Sequence, residues 1–187
     1  MARKTGSMAE TTRPRIREAA ARLFSKAGYD AVTMRGIGAE AGLSAGALYR
    51  YFPDKESLAA ALLAEAVEER DRVLDRALGA AATSGTVEAL EAFVRAYLGW
   101  RMATGGGPAL IALMSGALGS DADRALEDRI EALLAAGQEA GAVRLPDTRA
   151  GAGAVLAVLD RVAEDARLTE DRRVRIGWRF VHRLVGA

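Results

Sequence analysis

The sequence has no cysteine and one histidine, His182. The first absence excludes disulfides, thiolate metal sites and cysteine nucleophiles. The second leaves His182 without companions at metal-ligand spacing, so an interface or surface role suits it better. Aromatic residues make up 5% of the chain and there are four prolines. No apolar run approaches the roughly 18 residues a membrane span requires. No phosphate-binding loop is present, and no acidic pair is placed in one cleft for acid–base work. The opening MARKTGSMAE has early basic residues but no apolar stretch behind them, so residues 1–10 read as a flexible polar tail and not as a secretory leader. Together these absences predict a cytoplasmic protein that is not an enzyme, with no cofactor, metal or membrane partner.

Half of the 187 residues are hydrophobic, enough to bury a core. The net charge of +1 conceals an asymmetry. Residues 1–57 hold ten basic and six acidic side chains, while the remainder holds 16 and 19. All three lysines (Lys4, Lys26 and Lys55) lie in the first part. A basic head on a mildly acidic body fits a molecule whose head meets an anionic polymer.

Periodicity is helical throughout, which predicts an all-α fold. Ile16, Ala20, Leu23, Phe24 and Ala27 share a helical face, with Thr11 or Thr12 as cap, Pro14 in the first turn and Gly28 as stop. Thr33 is placed to cap a short helix carrying Met34, Ile37 and Ala41. Gly42 closes that helix, and Ser44 caps another running to about Phe52. Pro53 stops it, and Asp54 opens a fourth helix to about Leu78. The small-residue run 79–86 is a break and the best candidate boundary along the chain. Beyond it, helices are expected at about 87–103, 106–118, 121–140, 147–167 and 170–185. The domains expected are the tail 1–10, a helix-turn-helix head over 11–57, and a helical effector-binding and dimerisation body over 58–187.

GLSAGALYRYF, residues 42–52, is where function becomes legible. Gly42 tolerates the positive φ of a tight turn, and Ser44 caps the helix after it. Leu48 and Phe52 are four apart and face inward, with Leu43 beneath them. Ala45, Gly46, Tyr49 and Arg50 occupy the other face. Small residues in the first turn admit the helix to a major groove. The hydroxyls of Tyr49 and Tyr51 can donate to phosphate, and Arg50 can reach a phosphate or a guanine edge. Lys55, at the start of the next helix, suits a phosphate.

These residues resemble the DNA-binding domain of TetR/AcrR (tetracycline-repressor-like) regulators over residues 11–58. The similarity lies in LFSKAGYDAVTM followed by AEAGLSAGALYRYFPDKESL. The resemblance implies phosphate contacts from Thr33, Tyr49, Tyr51 and Lys55. It implies base or groove contacts from Ala45, Gly46 and Arg50, and a backbone contact from Arg35. Gly36 and Gly38 depart from the pattern; the pair costs about 2 kcal/mol of helix propensity and removes the capping-box acid after Thr33.

A single helix-turn-helix reads few base pairs, so a two-fold homodimer on a palindromic operator is expected. Val155, Leu159 and Val162 on one late helix, with Ile176, Phe180 and Leu184 on the last, are the candidate dimer face. The resemblance likewise implies a four-helix bundle of the last two helices. Phe93, Tyr97, Trp100 and Arg101 on one middle helix, with Met114 on the next, are candidates to line an effector pocket; the same pattern suits a plain core. The expected function is a ligand-responsive transcriptional regulator, a repressor released by a small hydrophobic or aromatic effector. The alternative is an effector-independent or architectural DNA-binding protein.

Overall fold

The computed structural model describes the backbone of residues 5–81, 83–103 and 120–186. Among these, every regular element is a helix: α1 (Thr5–Ala27), α2 (Met34–Glu40), α3 (Ala45–Tyr49), α4 (Lys55–Ala81), α5 (Thr86–Met102), α6 (Ser120–Glu139), α7 (Thr148–Glu164) and α8 (Glu170–Leu184). The fold is all-α. The helix expected at 106–118, with Met114, lies outside the described residues.

The chain forms two compact units that divide within α4, between Val67 and Glu68. In the first, Ile16, Ala19, Ala20 and Phe24 of α1 are fully buried. They pack in one core with Val32, Met34, Ile37, Ala41, Leu48 and Phe52. Leu58, Ala59 and Leu62 of α4 belong to the same core, which extends the head past the expected limit at residue 57. Two expectations for α1 are corrected. The helix begins at Thr5, so half of the expected tail is helical, and neither Thr11 nor Thr12 is its cap. Pro14 consequently sits inside α1 instead of in its first turn. Met8, Ala9 and Glu10 are good helix formers and carry the helix past a ring that removes the N–H aimed at the Glu10 carbonyl and crowds that carbonyl.

In the second unit, α7 packs on α6 and α8, and α5 packs on α8. Its core contains Leu90, Phe93, Val94 and Leu98 of α5 and Leu126, Ile130 and Leu134 of α6. Ala152, Val155 and Leu159 of α7 and Val181 of α8 complete it. Gly177 makes the α8 contact possible. A Cβ there would lie 2.9 Å from Leu98 Cδ1 and 3.0 Å from Leu159 Cδ2. Asp147 caps α7 by accepting from the Ala150 N–H at 3.0 Å.

The packing corrects part of the expected dimer face. Val155 and Leu159 are fully buried and Val162 nearly so, all within this chain's own core. They are spent on internal packing, because α7 turns its branched residues toward its neighbours. On α8 the outcome is the opposite: Phe180 is 57% exposed and Leu184 36%, and Ile176 is half-buried.

Candidate nucleic-acid interface

The turn between α2 and α3 is built by hydrogen bonds that the sequence anticipates. Thr33 caps α2, its Oγ1 accepting from the Gly36 N–H at 3.2 Å. Ser44 caps α3, its Oγ accepting from the Ala47 N–H at 3.3 Å. Gly42 has φ +67°, a conformation that favours glycine. The Leu43 N–H reaches back to the Gly38 carbonyl at 2.8 Å. From α1, the Arg15 guanidinium donates to the Ala41 carbonyl at 2.7 Å. That bond satisfies an acceptor at the end of α2 and fixes the turn to the first helix. Arg13 lies over the Phe52 ring, 5.4 Å from its centroid.

On this frame, Leu48 and Phe52 are buried while Thr33, Arg35, Ser44, Gly46, Tyr49 and Arg50 are exposed. Tyr49 is 51% exposed, unusual for an aromatic beside a core residue. A Cβ on Gly46 would meet nothing within 4 Å, so that end of α3 is open to a close approach. Ala45 opens α3. Tyr51 is half-buried and packs against the head core, leaving only part of its surface for a ligand.

Lys55 holds a position that the sequence does not reveal. Its ammonium donates to the carbonyls of Tyr29 at 2.9 Å and Val32 at 3.1 Å. It also lies over the Tyr29 ring, 4.2 Å from the centroid. The side chain is a strut between the α1–α2 connection and the start of α4. Asp54 caps that start: the Ser57 N–H donates to its Oδ1 at 2.6 Å, and this bond holds the Asp54 carboxyl below its usual range. Burial, with the nearby Glu56 carboxylate, pushes the Tyr29 hydroxyl up. Arg13, Arg15 and the strut role of Lys55 all escape sequence reasoning. Each depends on residues distant in the chain, and the only sequence signal is the density of arginine on α1.

The candidate effector residues form a buried aromatic row along α5. Phe93 and Tyr97 stack with centroids 5.8 Å apart, and Tyr97 and Trp100 are 5.9 Å apart. All three are at most 6% exposed. The Tyr97 hydroxyl donates to Asp160 Oδ1 on α7 at 2.7 Å, and Arg101 Nε lies 3.2 Å from the same oxygen. Burial, and then the Asp160 charge, push the Tyr97 hydroxyl far above the normal phenol range, with the positive charges of Arg101 and Arg70 opposing. Arg70 of α4 is 2% exposed, and its Nε bonds Asp71 Oδ1 at 3.1 Å. Sequence reasoning finds Tyr97 and Arg101 but misses Arg70 and Asp160. Among the described residues no group of His, Cys, Asp and Glu is placed to hold a metal, and no helix is long and apolar enough to cross a membrane.

A capped pair of short helices about a positive-φ glycine, braced by a third helix and exposing a tyrosine and an arginine, defines a helix-turn-helix head of the DNA-binding class. Residues 16–62 match the sequence model of "Bacterial regulatory proteins, tetR family". The likeness to that family rests on this segment, which is the head. Over 71 residues it is 42% identical to the HTH-type transcriptional repressor KstR of Mycolicibacterium smegmatis, a stretch covering 38% of this chain and 35% of that protein. The chain thus spans about a third of the length of the curated relatives it matches. A tetR-family regulatory protein from Rhodococcus RHA1 shares the fold with a TM-score of 0.72 and 28% identity, over 91% of this chain and 96% of that one. AibR, solved with isovaleryl coenzyme A and operator DNA, superposes with a TM-score of 0.75 at 24% identity, over 93% and 98% of the two chains, and shows likeness of fold.

Proposed function

We propose that this protein is a ligand-responsive transcriptional regulator, a repressor that binds a palindromic operator as a homodimer and is released by a small effector. The observation that carries the DNA-binding half is the exposure of Gly46, Tyr49 and Arg50 on a helix whose opposite residue, Leu48, is fully buried. A purely structural α3 would have little reason to leave a tyrosine half in water. Tyr49, Thr33 and Arg35 contact phosphates, Ala45, Gly46 and Arg50 approach base edges, and Ser44 holds the cap. Tyr51 adds a phosphate contact from its exposed part. Lys55 braces the frame and offers a phosphate the N–H that the two carbonyls leave over.

The homodimer is supported by α8, which exposes Phe180 and Leu184 beside Ile176. Three apolar residues at i, i+4 spacing on one outward face match what a second copy would cover. The responsive half is supported by the buried α5 row of Phe93, Tyr97, Trp100 and Arg101. The AibR structure, a protein of the same fold bound to both an acyl thioester and operator DNA, agrees with it. An effector that prefers one arrangement of the body helices shifts the population through α4, and useful release needs a preference of a few kcal/mol.

The decisive experiment selects bound DNA from a random pool and measures affinity for the recovered site. A palindrome is expected, and Tyr49→Ala and Arg50→Ala should each weaken binding about tenfold or more while leaving the thermal midpoint unchanged. Recovery of no preferred sequence, or undiminished affinity in both variants at moderate salt, refutes the assignment. If the palindrome binds but no small molecule releases it, the protein is an effector-independent DNA binder.

A further inference from the structure

The four arginines of α1 are answered in two ways. Arg17 Nε lies 3.2 Å from Glu65 Oε2, and Arg22 reaches Glu18 at 2.7 Å and Glu40 at 3.3 Å. Carboxylates neutralise both. Arg13 and Arg15, nearer the start of the helix, are exposed and meet no carboxylate among the described residues. Arg15 donates to the uncharged Ala41 carbonyl, and Arg13 faces the Phe52 ring. Their charges therefore bracket α3, one at the turn before it and one at the residue just past its end. Arg35 on α2 and Arg50 at the C-cap of α3 are also exposed, with no carboxylate partner among the described residues. Like charges gathered round one short helix repel one another, and folding alone gains nothing from that arrangement.

Of the two on α1, Arg13 keeps its donors. Attraction to a ring leaves the N–H groups of a guanidinium without an oxygen acceptor, and among the described residues Arg13 has none. Covering Phe52 asks only for an apolar stem, which methionine supplies without a charge. The ring instead holds a charged fork beside α3, and a phosphate of the DNA backbone matches the geometry of that fork. We propose that Arg13 is a further DNA-binding residue, a phosphate clamp that works from α1 while α3 enters the groove, oriented in advance by Phe52. Arg13 stands ahead of the segment 16–62 that carries the family likeness, which therefore does not assign it. The inference rests on the DNA-binding reading of the head and adds a contact outside α2 and α3.

The test uses the full chain, the duplex recovered by selection, and fluorescence anisotropy over a range of salt concentrations. Arg13→Met, which still covers Phe52, should weaken binding several-fold at moderate salt and lower the slope of log affinity against log salt by about 0.9. Arg13→Gln repeats that measurement with a polar stem, so the outcome does not hang on one variant folding. Arg13→Lys should keep the slope while losing part of the affinity, because an ammonium cannot bind a phosphate as a fork. Arg22→Gln should leave the slope unchanged, since Glu18 and Glu40 already neutralise that charge. Single methylphosphonates placed along the duplex locate the contact: at one position the parent should lose affinity and Arg13→Met should not. A thermal midpoint for each variant separates folding from binding. A lowered midpoint with an unchanged slope makes Arg13 a cover for Phe52 and overturns the inference. A slope that falls equally in Arg22→Gln reports a general field and overturns it as well, and in both cases the DNA-binding reading stands. If the parent binds no duplex, that reading fails and the inference with it.

Discussion

Tyr97 concentrates the chemistry of the second unit in one hydroxyl. It is 5% exposed and donates to Asp160, so the folded state strongly prefers its neutral form. A phenol whose folded pKa is raised contributes stability that is fully present below the unfolded value, near pH ~10. Above that pH the unfolded chain loses the proton first, and stability falls. Tyr97→Phe should therefore cost about 2 kcal/mol at neutral pH, the scale of a hydrogen bond to a charged acceptor. The same variant should lose less on going to alkaline pH than the parent does. Urea unfolding at neutral pH and above pH ~10 checks both parts, and an unchanged alkaline slope sinks the second. At this scale the sequence is half legible. Tyr97 and Arg101 stand out as polar groups on an apolar helix, but Asp160 lies 63 residues further on and only the fold unites them. Lys55 is half legible in the same way: a lysine opening a helix reads as a phosphate ligand, and its bonds to the Tyr29 and Val32 carbonyls are invisible until the head closes.

Among elements, α2 is the weakest by composition, with glycine at 36 and 38 in a seven-residue helix. Gly38 is buried, whereas Gly36 is exposed, and a Cβ there would meet only Thr33 Oγ1, at 3.4 Å, an ordinary contact. Gly36→Ala should therefore stabilise the head by about 1 kcal/mol. Gly42→Ala should do the reverse, because φ is +67° and the new Cβ would come within 3.1 Å of Arg15 Nη2; a cost of about 1–2 kcal/mol is expected. Chemical denaturation of both variants gives the signs. Helix ends are legible wherever a cap or a positive-φ glycine marks them, as at Gly28, Thr33, Gly42 and Ser44. They are illegible at the start of α1, where Pro14 imitates a first turn and the helix nonetheless begins nine residues earlier, at Thr5.

For the whole molecule, the all-α class and the basic head follow from period and charge alone. The division inside α4 does not, because Leu58 and Leu62 continue the same apolar stripe as the rest of that helix and nothing in its pattern marks a change of core. The proposed dimer face is only partly legible for a related reason. Burial within the chain and burial against a partner leave the same apolar residues, and the structure separates Val155, Leu159 and Val162 from Phe180 and Leu184. Phe180→Glu should leave the fold intact, since that ring is 57% exposed, and yield a monomer by sedimentation. Operator affinity should fall with it, because each head then binds its half-site alone. A Phe180→Glu protein that still sediments as a dimer would place the interface elsewhere.

The Lys55 strut also governs how the head opens. Its ammonium grips the carbonyls of Tyr29 and Val32 just ahead of α2, while its own backbone begins α4 just after α3. Helices α2 and α3 thus occupy a closed span of chain, tied at its mouth. Neither can fray alone without straining the tie, so their amide protons should exchange with solvent at a common rate set by one shared opening. Cutting the tie with Lys55→Met should split that rate in two, with the glycine-weakened α2 exchanging faster than α3.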